Sequence, residues 1–173
     1  MTKKFKRTIM AMLCMVTMLA SSISVSAAEG KYTYSVDKPG YGNVTVTSGT
    51  LNVRSGPSTS GTTIKASLTN GSYIMLIGQS GNFFHVQYDT NGNTGYVHKN
   101  YVTDNSTAYC LAVTTAGGTL NFRRGASTSS SSICSLQNGT RLAHRAVSGD
   151  WYLGVYGNQS GYASKQYVWT VTR

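Results

Sequence analysis

Any chemistry in this chain of 173 residues would have to come from few side chains: three cysteines, three histidines and five acidic groups. The four aspartates, Asp37, Asp89, Asp104 and Asp150, are scattered through loop-like or turn-like segments, and Glu29 is the only glutamate. That scatter speaks against the paired carboxylates of glycoside hydrolysis. No Gly-x-Ser-x-Gly elbow presents a serine nucleophile. Cys134 and His144 are the one conceivable thiol–imidazole pair. His85, His98 and His144 share no ligand spacing and stand in no Cys-x-x-Cys context, so no zinc site is expected. The stretch DTNGNTG, beginning at Asp89, imitates a calcium loop. It has Thr94 where such a loop needs Gly and Asn100 where it needs a terminal Glu, so it reads as a hairpin loop. The expectation is a protein without catalytic residues, cofactor or metal.

Recognition has better raw material. The chain holds 12 Tyr, 4 Phe and 2 Trp, more rings than a small core can bury. Tyr and Trp offer a flat apolar face with a polar tip, which suits sugar rings and short Gly-rich peptides. The adjacent pairs Phe83-Phe84 and Trp151-Tyr152 are informative, because neighbours on a strand face opposite sides. One ring of each pair should enter the core and the other face outward. Tyr96, Tyr101, Tyr162 and Tyr167 are further candidates, joined by Asn52, Arg54, Asn121 and Arg123. A guanidinium can grip a carboxylate or a carbonyl, or it can brace the Ser/Thr loop that follows it.

These residues occur in pairs because the chain is written twice. Residues 49–64 read GTLNVRSGPSTSGTTI and residues 118–133 read GTLNFRRGASTSSSSI, with ten of sixteen positions identical. The correspondence continues through Asn70-Gly71 with Asn138-Gly139, Gly95-Tyr96 with Gly161-Tyr162, and Tyr101-Val102 with Tyr167-Val168. It also places Cys134 where the first copy has Lys65, within an ordinary strand, which argues against a catalytic thiol. TLNVR alternates Leu51 and Val53 against polar neighbours, the pattern of a half-buried strand, and Ile64 is expected in the core with them. SYIMLIG is an apolar run too short for a helix and is bounded by the hairpin dipeptide Asn-Gly. Strands of four to seven residues with closely spaced turns imply small barrels, whose closure would remove exposed sheet edges.

The organisation follows. Lys3, Lys4, Lys6 and Arg7, an uncharged run to about Ala20 and a small-residue stretch ending in Ala27-Ala28 form a signal peptide over residues 1–28. No later segment is apolar enough to span a membrane, so the mature chain is expected outside the cytoplasm. Residues 29–43 read as an extended lead-in, 44–104 as the first domain, 105–112 as a short linker and 113–173 as the second domain. The formal charge of +10 is uneven. The second domain holds Arg123, Arg124, Arg141, Arg145, Lys165 and Arg173 against Asp150 alone, and is expected to favour anionic polymers. Cys110 and Cys134 read as one possible disulfide in an exported protein.

The order Leu51-Asn52-Val53-Arg54-Ser55-Gly56-Pro57-Ser58, then Asn70-Gly71, Gly81-Asn82-Phe83-Phe84 and Gly95-Tyr96-Val97 resembles the bacterial SH3 (SH3b) domain family. The second copy carries Leu120-Asn121-Phe122-Arg123-Arg124-Gly125, Gly149-Asp150-Trp151-Tyr152 and Gly161-Tyr162-Ala163. It departs at Arg124, Ala126 and Ala163, where the first copy has Ser55, Pro57 and Val97. The resemblance implies an all-β protein of two tandem SH3-like small β-barrels in an exported, cell-wall-associated protein. It also implies binding of peptidoglycan, through its peptide or cross-bridge, or of another wall polymer. A role as a protein–protein adaptor for a separate wall hydrolase or host ligand is the alternative. No nucleic-acid partner is expected.

Overall fold

The computed structural model describes residues 32–173; the expected signal peptide, residues 1–28, lies outside the described residues. The first sheet comprises β1 (Gly40–Val44), β2 (Leu51–Arg54), β3 (Ile64–Leu68), β4 (Tyr73–Ser80), β5 (Phe83–Gln87), β6 (Thr94–His98) and β7 (Val102–Asp104). The second comprises β8 (Tyr109–Val113), β9 (Thr119–Arg123), β10 (Ser132–Gln137), β11 (Arg141–Ser148), β12 (Trp151–Tyr156), β13 (Gln159–Ser164) and β14 (Val168–Thr172). Strand order is β3-β2-β6-β5-β4-β1-β7 in one and β10-β9-β13-β12-β11-β8-β14 in the other, the same topology repeated seven strands later. A single 3₁₀ turn precedes the last strand of each sheet, Lys99–Tyr101 capped by the His98 side chain and Lys165–Tyr167 capped by that of Ser164.

Each sheet wraps its own core. Val44, Leu51, Val53, Leu68, Ile74, Leu76, Phe84, Val86 and Val97 fill the first, and Leu111, Val113, Leu120, Phe122, Leu136, Leu142, Ala163 and Val168 the second. Burying a side chain of this kind contributes about 1.5–3 kcal/mol. The two halves are therefore small SH3-like β-domains, with one difference from expectation: β3 and β7, and likewise β10 and β14, end their sheets without pairing to each other. The wrapping is done by side-chain packing, and hydrogen bonding does not close the ring. Ile64 also departs from expectation. It opens the terminal strand β3, beyond a register shift opposite Val53 and Arg54, and is 56 % exposed.

The domains are docked through an apolar patch outside both cores. In β4, Ile74 and Leu76 point into the first core, while Met75 and Ile77 point the other way and meet Ala143 and Val155 of the second domain. Tyr41 of β1 completes this cluster, with Tyr73 and Tyr156 packed against it. Arg145 of β11 spreads its guanidinium over Tyr41 and Tyr73, at 5.7 and 4.8 Å from the ring centroids, and donates to Ser160 Oγ at 2.6 Å. The turn at Gly157 approaches so closely that a Cβ there would lie 2.0 Å from the Asp89 carbonyl oxygen.

The segments expected as lead-in and linker are structured parts of this assembly. Gly40–Asn43 pair with β4 and β7, so the first sheet begins earlier than residue 44. Tyr34 enters the first core, edge-on to Phe84 at 6.0 Å, and donates its hydroxyl to Asp104. Burial and this carboxylate together push the Tyr34 phenol well above its ordinary range. Linker residue Ser106 is buried, accepting from Tyr41 N–H at 3.0 Å, and β8 takes up the linker from Tyr109. Thr107 Oγ1 lies 3.0 Å from His144 Nδ1, tying the linker to β11. Arg173 donates to the Pro39 and Tyr109 carbonyls and lies over Tyr32 and Tyr34. Tyr32 and Tyr34 precede the first strand and hide their rings by packing against the first core.

The expected disulfide is absent: Cys110 and Cys134 are both free. In β8, Leu111 and Val113 face the core, so Cys110 faces away, toward the Asp37 and Val171 carbonyls. Cys134 packs against the core from β10. Strand alternation thus puts the thiols on opposite faces of the sheet, and burial raises both of their pKa values.

Two outcomes follow from this packing. Gly157→Val forces a branched side chain into the Asp89 backbone at a left-handed φ of 59°, and should cost about 1–3 kcal/mol. Urea denaturation of wild type and variant measures it, and an unchanged midpoint would show that the docked turn carries no stability. His85 and His144 both titrate below their ordinary value of 6.5, chiefly through burial, with Lys65 and Arg173 as the respective secondary causes. The unfolded chain then binds protons that the folded chain refuses, so stability is full above pH 6.5 and declines as pH falls below it. Denaturation midpoints between pH 7.5 and 5.5 should fall, and His144→Gln should flatten the decline.

Candidate functional site

The opening stretch of each repeat builds one wall of a groove. In β2, Leu51 and Val53 face inward, which turns Asn52 and Arg54 to the opposite face. The strand β6 lies against β2 at Arg54 and Tyr96 only because residue 95 is glycine. A Cβ there would come within 2.5 Å of Val53 and 2.8 Å of the Arg54 carbonyl oxygen. Gly161 plays the same part beside Arg123, with its carbonyl oxygen also at 2.8 Å. After β2 the chain makes a self-bonded Ser/Thr loop. Ser58 Oγ donates to the Ser60 carbonyl, Thr62 Oγ1 donates to the Ser58 carbonyl, and Arg54 Nη1 lies 3.4 Å from Thr62 Oγ1. In the second copy Arg123 Nη1 donates to the Ser130 carbonyl at 2.6 Å. Each arginine therefore braces its loop and also lines the groove beside it.

The first groove, about 600 Å³, is lined by residues 46–48 and by Thr50, Leu51, Asn52, Arg54, Thr59, Phe83, His98 and Tyr101. The second, about 470 Å³, is lined by Thr115, Ala116, Gly117, Thr119, Leu120, Asn121, Arg123, Thr128, Trp151, Ser164, Gln166 and Tyr167. The repeat alignment superposes these sets: Asn52 on Asn121, Arg54 on Arg123, Phe83 on Trp151 and Tyr101 on Tyr167. Tyr101 and Tyr167 are 49 % and 41 % exposed, so each offers an accessible ring at the groove's edge.

Of the twelve candidate residues, these eight gather in the grooves and four do not. Phe84 is a core residue, and Tyr152 packs partly buried against the second core. Lys165 lies over the Tyr152 ring at 5.4 Å. Tyr96 stacks on His85 at 4.7 Å with the rings 15° apart, away from the groove. Tyr162 sits opposite Arg123 and Leu153 in the ladder and lines neither groove. Strand alternation puts Phe83 and Trp151 on the groove side and the next residue on the core side. The expected outward ring is not found in the first copy, however: Phe83 is buried at 8 % exposure, packed edge-on against His98, as Phe84 is at 4 %.

His98 is the groove residue that sequence reading assigned no binding role. Its ring lies between Phe83 and Tyr101, at 5.1 and 5.9 Å, and its Nδ1 accepts from Asn100 N–H at 3.3 Å. The repeat alignment puts Ser164 at this place, and a His-to-Ser change between copies was the available signal. Among the described residues there is no cluster of His, Cys, Asp and Glu that could hold a metal ion. No helix among them is long and apolar enough to cross a membrane.

Two small β-domains of identical topology, each with a groove between its Asn-x-Arg strand, its Ser/Thr loop and its aromatic pair, define a tandem of SH3-like domains. The bacterial SH3 domain profile matches residues 49–103 and 118–168, and the chain belongs to that family. No curated relative matches the chain. Among solved structures, it is similar to NlpC2 from Trichomonas vaginalis, with 17 % identity and a TM-score of 0.37 over 78 % of this chain and 49 % of that one. NlpC1 from the same organism gives 16 % identity and 0.36, over 82 % and 48 %. An NlpC/P60 family protein from Bacillus cereus gives 11 % identity and 0.31, over 76 % and 56 %. The chain thus spans about half the length of these structures.

Neighbouring rings with opposite orientations should behave differently. Phe84→Ala empties a core site and should cost about 3–5 kcal/mol. Phe83→Ala opens onto a groove that water can enter and should cost at most about half as much. Urea titrations of the two variants measure this, and equal losses would show that the open groove gives no relief to the cavity left at Phe83.

Proposed function

We propose that this protein is a non-catalytic, exported binding protein whose paired grooves take bacterial cell-wall polymer, through the peptide or cross-bridge of peptidoglycan. The observation that carries the reading is the repetition of one groove, with the same Asn, Arg and Tyr and an aromatic partner, in two domains of the bacterial SH3 family. Domains of this family typically act at the cell wall. Such a groove is shallow, wet and open, so a single site should bind weakly. Two sites on docked domains raise overall affinity by effective concentration. Attraction to anionic wall polymers is expected to be smaller than the formal charge implies, because Arg145 and Arg173 are spent on aromatic rings and carbonyls within the fold. Arg124 and Arg141 remain as its carriers, since Lys165 too lies over a ring, that of Tyr152.

A second reading, an adaptor for another protein, draws on Trp169. It is 66 % exposed on the terminal strand β14, in register with Ala112, and lies outside both grooves.

Co-sedimentation with purified cell walls at low salt separates these. Wild type should sediment with the walls. Arg54→Gln combined with Arg123→Gln should weaken binding about tenfold while circular dichroism stays unchanged. Failure of the wild type to sediment above a carrier protein sinks the wall reading and favours the adaptor.

A further inference from the structure

The two grooves share a shape but not a donor set. In the first, His98 stands beside Arg54, and no acidic side chain lines the groove. Because His98 Nδ1 accepts from Asn100 N–H, the proton of the neutral ring sits on Nε2, where it is a donor. Arg54 is held to its loop only by a long contact of 3.4 Å to the neutral Thr62 hydroxyl. Two nitrogen donors, one permanently charged, are therefore uncommitted to any acid. In the second groove the histidine is replaced by Ser164, whose Oγ accepts from Gln166 N–H at 3.4 Å. Arg123 is tied to a carbonyl at 2.6 Å, and Trp151 offers a broader ring than Phe83. That groove is built more for stacking a flat uncharged group than for gripping an anion.

We propose that the grooves divide one ligand by charge: the first selects a peptide end bearing a free carboxylate, and the second accepts an uncharged peptide or sugar unit without regard to charge. This rests on the wall-binding reading and names the ligand feature that each groove takes.

The probes are acetyl-triglycine and its C-terminal amide, titrated separately into the full chain and followed by amide chemical shifts at the two grooves. The acid should bind the first groove about three- to fivefold more tightly than the amide, as expected for one solvent-exposed charge-assisted contact. The preference should shrink as salt rises. The second groove should not distinguish the two. His98→Ser installs the residue that already caps the equivalent turn of the second domain, so the fold should tolerate it, and the acid preference should fall toward unity. Ser164→His should create a preference in the second groove. Equal affinity of acid and amide at the first groove, a preference confined to the second, or no shift at either groove with either probe would each overturn the proposal. Wall sedimentation is scored independently, so binding to walls with no acid preference overturns this inference alone.

Discussion

The structure depends on one strand being buried on both faces. The alternation of β4 sends Ile74 and Leu76 into the first core and Met75 and Ile77 against Ala143 and Val155. Neither domain of about sixty residues has a large core, and domains of this size are marginal alone. Sharing β4 gives the pair a third apolar cluster, and it orients one groove relative to the other. A flexible tether would leave the second groove to be found by diffusion. A docked pair presents both at a fixed separation, which favours ligands of matching span.

The docking surface is asymmetric although the repeats correspond. Ile77 aligns with Arg145, so an aliphatic position in one copy is a guanidinium in the other. The half-buried Arg145 is partly compensated, because it lies over Tyr41 and Tyr73 and its Nη1 is bonded to Ser160, while its Nε is buried without a hydrogen-bond partner. A buried cation without such partners would be strongly unfavourable. The asymmetry has a consequence for association. With an apolar residue at both positions, each domain would carry the same sticky face and could pair with copies of itself. Placing the tyrosines on one face and the arginine on the other makes the two faces complementary to each other and poorly matched to themselves.

Much of this was legible in the sequence, and the misses share a cause. Period-two alternation at Leu51 and Val53, the Asn-Gly turns and the doubled Asn-x-Arg phrase disclosed two β-domains and their strand faces. The same alternation implied that Phe83 and Phe84 would take opposite faces, but it did not disclose that His98 covers the outer ring and leaves Phe83 buried too. Tyr96 and Tyr162 share a strand face with the groove residues His98 and Ser164 and miss the groove by their position along the strand, which the type of ring does not report. The continuous apolar run Tyr73–Ile77 carried the signal of a strand covered on both sides, since a half-solvated strand would have alternated. Its partner surface in β11, interrupted by Arg141, His144 and Arg145, hid the other half of that contact. The lead-in and linker looked irregular in composition; the pairing of Gly40–Asn43 with β4 makes the lead-in part of a sheet, and the pairing of β8 with β11 and β14 does so for the linker.

Glycine placement connects the fold to the groove. Gly95 and Gly161 allow β6 and β13 to run within Cβ distance of the Arg54 and Arg123 carbonyls, and that proximity fixes the backbone from which each guanidinium projects. The loop that follows satisfies its own hydroxyls and amides, as in Ser58 with Ser60 and Ser127 with Ser129. It therefore holds its shape without a hydrophobic anchor. Those serines and threonines conserve the loop's geometry while leaving its outer surface polar. A ligand entering the groove meets a preformed wall, and little of its binding free energy is lost to ordering the loop. The two grooves then differ at a few side chains that also serve the fold: His98 and Ser164 each cap the turn before the last strand, and Phe83, buried against His98, stands where the second copy has Trp151. The lining of the groove changes between copies while one strand order is kept.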